Sequence, residues 1–389
     1  MNRQIMLSFG ELYTKGKNRK TFIGQLKGNI KHALDGYVNE VIITHDHMYI
    51  RGYDLNKERE IIDLLVDISG IYYINIIEVY QRDKAALIEA GLDILSRKVG
   101  KTFKIFTKRN DKNYPFSSDE INRLIAGEIL NKTTWTVDIH QPDFLLEIKI
   151  YHNGAYFVVD KILGAGGYPL GIVGQGLLML SGGLDSPVAA YLTLRRGIRI
   201  SCIHFASPPY TSEGVIFKLK DLLSALNRYQ TKIDLYIIPF TKLQETINLH
   251  VRPAYSITIM RRMMYRLADR LATRFHIPLI INGESIGQVA SQTLESIFVI
   301  NQVTNMPIVR PLAMMDKVAI VELARKIKTY DISIQPFEDC CTIFTPEYPE
   351  TKPRLKIVEE EEAKFDYLAL IEEALGRVEH LAITKGNEE

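Results

Sequence analysis

Residues 176–197 read GLLMLSGGLDSPVAAYLTLRRG, and the order of elements in that stretch decides the fold. The apolar run 177–180 predicts a short strand buried on both faces, which Ser181-Gly182-Gly183 interrupts. Pro187 predicts the first residue of a helix, where a missing amide proton costs nothing, and Gly197 predicts its end. A glycine turn between a buried strand and a helix N-terminus aims backbone N–H groups and the positive end of the helix dipole at one point. Phosphate oxygens suit such a point.

Downstream, strands are expected at 199–205, 234–239, 278–282 and near 308–309, separated by helices at 213–229, 255–275, after Gly287, and at 316–328. This alternation predicts an α/β fold with a doubly wound parallel sheet, whose ligands sit at the carboxyl ends of the strands. His204 and Phe205 end the second strand. The helix at 255–275 carries Met260, Met263 and Met264 as a packing stripe, with Arg261, Arg262 and Arg266 on other faces and one of them a candidate phosphate clamp. The polar, glycine-spaced run 282–294 has the character of a loop lining a site.

Upstream, GAGGYPLG at 164–171 reads as a connector between domains. The chain then divides into residues 1–56, 57–163, a linker at 164–174, and 175–389. The first two are small α/β modules. The turn GELYTKGKNR at 10–19 gathers Lys15, Lys17 and Arg19 where glycines let a ligand approach the backbone. Lys108, Arg109 and Lys112 lead into Tyr114 and Phe116, a mixture of cations and aromatic faces seen on nucleic-acid-binding surfaces and on ordinary sheet edges alike.

With 389 residues and 46% hydrophobic content the chain can bury more than one core. It shows no apolar run of about 18 residues and no charged-then-apolar leader, so a cytoplasmic protein without membrane contact is expected. Three cysteines make no disulfide framework and fit a reducing compartment. The net charge of +2 hides an asymmetry: residues from 338 onward carry 6 Lys/Arg against 14 Asp/Glu, leaving 42 against 32 in the rest. The basic part suits a polyanion, and the acidic run 359–362 predicts a solvated C-terminal helix. Cys340 and Cys341 are adjacent, a poor arrangement for one metal ion, so no metal site is expected there. A thiol of ordinary pKa is only about 3% thiolate at pH 7, and Glu338 and Asp339 lower that fraction. A persulfide is more acidic, so a sulfur-carrying role escapes the objection.

Ser181-Gly182-Gly183-Leu184-Asp185-Ser186 is neither a Walker loop nor GxGxxG; it resembles the SGGxDS turn of the ATP pyrophosphatases (PP-loop enzymes), which cleave ATP between the α and β phosphates. FKIFTKRNDKNYPFSSDEINRLIA and FLLEIKIYHNGAYFVVD are similar to a THUMP RNA-binding domain, and GELYTKGKNR resembles the ferredoxin-like domain that accompanies it. With NGESIGQVASQTLES, RPLAMMDK and EDCCTIF, these fragments resemble the tRNA 4-thiouridine synthetase family over nearly the whole chain. The resemblance implies a ferredoxin-like module at 1–56, a THUMP module at 57–163 and an adenine nucleotide alpha hydrolase-like PP-loop domain at 175–389.

It further implies an ATP pocket lined by Met179, Leu180, Ser181, Gly182, Gly183, Asp185 and Ser186 from the turn, with His204, Phe205, Arg261, Gly283 and Gln292 from later segments. Arg262 is the alternative to Arg261. Asp185 would hold Mg²⁺ on the phosphates, and Cys340 would bear the sulfur, with Cys341 and Cys202 as other thiols. The implied partners are tRNA, bound through Lys15, Lys17, Arg19, Lys108, Arg109 and Lys112, a cysteine desulfurase, and a second copy in a homodimer. Longer relatives carry a rhodanese domain, which this sequence is expected to lack; sulfur delivery for thiamin's thiazole goes with that domain. The competing expectations are a 2-thiouridylase, a lysidine-forming ligase, an amidating synthetase, or a non-catalytic RNA-binding protein.

Overall fold

In the computed structural model the described residues, 2–337 and 343–384, fall into two compact units, 1–168 and 169–389. The first runs β1 (Asn2–Phe9), α1 (Arg19–Ala33), β2 (Val38–Ile43), β3 (His47–Tyr53), α2 (Glu58–Val66), β4 (Ile71–Tyr80), α3 (Lys84–Ser96), β5 (Thr102–Arg109), α4 (Ser118–Lys132), β6 (Thr136–Val137), β7 (Phe144–Tyr151) and β8 (Gly154–Leu163). All its strands join one sheet in the order β2-β3-β1-β4-β8-β7-β5-β6. β4 is the seam: it pairs antiparallel with β1, Ile5 opposite Ile76, and antiparallel with β8, Ile77 opposite Val158. Strand side chains alternate between faces, so Ile5, Leu7, Ile74 and Ile148 share a core with Leu26, Ile62, Ile94 and Ile125 of the helices.

The second unit runs β9 (Gly174–Met179), α5 (Asp185–Arg195), β10 (Ile198–Ala206), α6 (Gly214–Leu226), β11 (Lys232–Pro239), α7 (Thr241–His250), α8 (Ser256–Arg274), β12 (Ile280–Ile281), α9 (Leu294–Asn301), β13 (Ile308–Val309), α10 (Lys317–Lys326), α11 (Tyr330–Ser333), α12 (Leu355–Glu362), α13 (Tyr367–Gly376) and β14 (Glu379–Thr384). Its sheet order is β13-β12-β9-β10-β11-β14, parallel from β13 through β11. Leu177 faces a core built on α7 and α8, whereas Leu178 faces one built on α5 and α6. Helices on both faces are why the strand at 177–180 is apolar throughout.

Three features depart from the sequence reading. The helix after the glycine turn starts at Asp185 rather than Pro187, so the proline sits within the first turn, where an N–H still has no helical partner. α7 and the antiparallel edge strand β14 were not anticipated. The solvated C-terminal helix is a correction: the region holds α12, α13 and β14, and Glu361 and Glu362 are only 2% and 4% exposed. Arg252 and Lys364 hold Glu361, while Arg262 and Arg266 hold Glu362. Carboxylates go inside when cations and hydrogen bonds replace their water.

Candidate active site

The ends of β9, β10 and β12 meet α8 around one cavity of about 250 Å³ on the carboxyl side of the parallel sheet. Past β9 the chain turns through Ser181, whose N–H donates to Ser186 Oγ at 3.0 Å, while that hydroxyl donates to the Ser181 carbonyl at 2.9 Å. The two serines therefore brace the turn against the start of α5. Asp185 opens that helix, and its carboxylate accepts from Lys317 Nζ at 2.6 Å and from Gln288 Nε2 at 3.1 Å.

At the end of β10, His204 is 3% exposed and its Nδ1 lies 3.0 Å from the Leu180 carbonyl oxygen. A carbonyl only accepts, so Nδ1 carries the proton between them. Phe205 meets Phe240 edge-on at 5.4 Å. Beyond β12 comes Asn282-Gly283-Glu284. A Cβ on Gly283 would stand 2.8 Å from the Asp185 carbonyl carbon and the Ser186 nitrogen, so only glycine lets this strand end press on α5.

Glu284 is 4% exposed and accepts from Arg261, from Arg310 Nε at 2.7 Å and from Asn282 Nδ2 at 2.7 Å. Burial pushes its carboxyl up, but the Arg261 and Arg310 guanidiniums offset that and hold it below the usual carboxylate range. Gln292 has its Oε1 buried without a hydrogen-bond partner among the described residues. Buried acceptors are rarely left so, and a bound N–H or O–H group would satisfy this one.

Of the residues singled out in the sequence, Met179, Leu180, Ser181, Asp185 and Ser186 line the cavity, as do His204, Phe205, Arg261, Gly283 and Gln292. Gly182 and Gly183 belong to the turn without lining it. Arg262 does not reach the cavity: it donates to Glu362 at 2.7 and 2.8 Å and to the Val299 carbonyl at 2.6 Å. Sequence reasoning missed Met264, Asn282 and Glu284 in the lining, although the last two flank Gly283 in a run already marked as polar. It also gave no role to Lys317 of RPLAMMDK. Cys340 and Cys341 lie outside the described residues; on their N-terminal side, Ser333 Oγ is 3.4 Å from the Gly183 carbonyl. Cys202 is fully buried in β10, which pushes its thiol pKa up.

In the first unit, the Lys15 ammonium stacks over Phe22 and Tyr168 at 5.0 and 4.2 Å, and the Arg19 guanidinium stacks over Tyr13 at 5.2 Å. Arg109 donates to the Tyr114 and Phe116 carbonyls at 3.3 and 3.2 Å. Lys17, Lys108 and Lys112 are exposed.

A family model described as thiamine biosynthesis protein (ThiI) matches residues 171–367, half of the chain. The chain belongs to the ThiI family. Models of the ThiI ferredoxin-like domain and of the THUMP domain match residues 4–75 and 85–160. A solved 4-thiouridine synthetase, in complex with RNA and with bound ATP, is 35% identical over 98% of this chain and 100% of its own, with a TM-score of 0.88. PH1313 from Pyrococcus horikoshii shares the fold, with 21% identity, 84% of this chain and 100% of its own covered, and a TM-score of 0.64.

Proposed function

We propose that this ThiI-family protein is an ATP-dependent tRNA sulfurtransferase that converts uridine 8 of tRNA to 4-thiouridine. The observation that carries the reading is the convergence of the Ser181 turn, His204, Phe205, Arg261 and Gln292 on one cavity that side chains leave open. ATP would lay its phosphates at the N-terminus of α5 and its adenosine against Met179, Leu180, Phe205 and Met264. The uridine O4 attacks the α-phosphorus and pyrophosphate leaves, so that a poor oxo leaving group becomes an AMP ester. The terminal sulfur of a Cys340 persulfide then bonds to C4 as AMP departs, and an external thiol attacks Cys340 Sγ and breaks the S–S bond, so that the sulfur stays on C4 and the two thiols are left joined as a disulfide.

Asp185 fits the hard cation that accompanies ATP, because among the described residues each of its oxygens accepts one hydrogen bond and retains a lone pair for an ion shared with phosphate. Mg²⁺ held there would neutralise charge on the departing pyrophosphate, and Lys317 adds a second positive charge beside it. A cysteine desulfurase would charge Cys340, and two copies would work as a homodimer; both rest on the family. Residues 1–56 and 57–163 would serve as ferredoxin-like and THUMP modules, joined through 164–174 to the PP-loop domain at 175–389. Exposed Lys17, Lys108 and Lys112 would meet tRNA phosphates, with Lys15, Arg19 and Arg109 shaping the same surfaces. No helix among the described residues is long and apolar enough to cross a membrane, and action in the cytoplasm is part of the proposal.

The test is mass spectrometry of tRNA nucleosides after incubation with ATP, Mg²⁺ and a sulfur donor. Wild-type protein yields 4-thiouridine; Cys340→Ser yields none while binding ATP as tightly as wild type. Retained thiolation would move the sulfur to Cys341 or elsewhere.

A further inference from the structure

We infer that Glu284 is a positioning residue, which fixes Arg261 at the cavity wall so that its charge meets the phosphates of the nucleotide. The inference rests on the ATP reading above and adds a residue to it. Arg261 comes from α8 and Arg310 from the segment after β13, and both donate to the one buried carboxylate. Only Arg261 and Glu284 line the cavity.

Glu284 is itself held from behind. Asn282 Nδ2 donates to it at 2.7 Å, its own N–H donates to Asn282 Oδ1 at 3.1 Å, and the Tyr265 hydroxyl stands 3.4 Å away. Arg310 is anchored in turn by Asn301 Oδ1 at 2.7 Å. Gly283, between the two polar residues, packs against the first residues of α5. The Asn282-Gly283-Glu284 segment thus connects the phosphate turn to Arg261 through two buried polar residues: Asn282 and Glu284 are 3% and 4% exposed.

The place of the cluster shows what it is for. Glu284 holds Arg261 where its guanidinium borders a cavity whose floor is a phosphate-type turn. A guanidinium fixed in that place suits the phosphates of a nucleotide. Glu284 is not placed to take a proton, since both its oxygens already accept from cations or amides. Its work is geometric, carried out through Arg261.

The experiment compares wild type with Glu284→Gln and Glu284→Asp in tRNA-dependent pyrophosphate release. Replacing a charge-assisted bond by a neutral one should raise the KM for ATP about tenfold or more in Glu284→Gln, with the KM for tRNA unchanged and a smaller rise in Glu284→Asp. A purely structural role would lower kcat through loss of folded enzyme and leave the KM for ATP where it was, which overturns the inference. Should the glutamine variant fail to fold, the aspartate variant decides by the same KM. A ligand-free crystal structure of either soluble variant gives a readout independent of ATP. Displacement of Arg261 from the cavity wall supports the inference even if ATP proves not to be the ligand, and an unmoved Arg261 sinks it even if ATP is.

Discussion

Arg261 and Arg262 are consecutive on α8, and each ends on a buried glutamate that a second arginine also holds. Arg261 shares Glu284 with Arg310, and Arg262 shares Glu362 with Arg266. The chemistry is the same and the surroundings differ. The first trio borders the cavity through Arg261 and Glu284; the second lies away from it and fastens α12, with 3% of the Arg262 side chain exposed and Arg266 reaching the surface at 23%. Successive helical residues point about 100° apart, so a single step along α8 separates a group that can meet a ligand from one that fastens the C-terminal helices. The charges alone do not distinguish the two trios; what lies beyond each one does.

The largest effect should come from the second trio. Glu362→Gln leaves two guanidiniums without their carboxylate and should cost about 3–5 kcal/mol of unfolding free energy in urea, with the KM for ATP of the folded fraction unchanged. A change in that KM would break the division between the trios. Arg261→Met should show the converse. Glu284 keeps Arg310, so stability falls by less than about 2 kcal/mol, while ATP affinity in a binding titration falls about tenfold.

The smallest effect is one of pH. The folded-state pKa of Glu284 lies below its ordinary value of 4.5, so the fold favours the ionised form. Its contribution is complete above that ordinary value and is lost as pH falls through the lower, folded one. The stability gap between wild type and Glu284→Gln should therefore be flat from about pH 5 to 8 and shrink in more acid solution. A gap that widened in acid would reverse the sign assigned to the Arg261 and Arg310 charges.

Much of the cavity was legible because its parts are punctuated locally: a glycine turn, a His-Phe pair ending an apolar run, and a polar stretch after another. Glu284 was passed over because its partners Arg261 and Arg310 lie 23 and 26 residues away, beyond the reach of any local pattern. Glu361 and Glu362 were misread for the same reason, since an acidic run reads as solvated until arginines 109 and 100 residues upstream are seen to meet it. β14 left no trace at all, as none of its residues is buried and an edge strand need not alternate. The parallel strands of the second unit could be read because a sheet covered on both faces makes its central strands apolar throughout.

β14 has a consequence for solubility. It runs antiparallel along β11 from Lys232 opposite Thr384 to Ile237 opposite Glu379, and so occupies amide and carbonyl groups that would otherwise form a bare margin of the parallel sheet. A margin of that kind recruits strands from other molecules. β14 thus acts as a hem along β11, holding the place that a strand from another molecule would take.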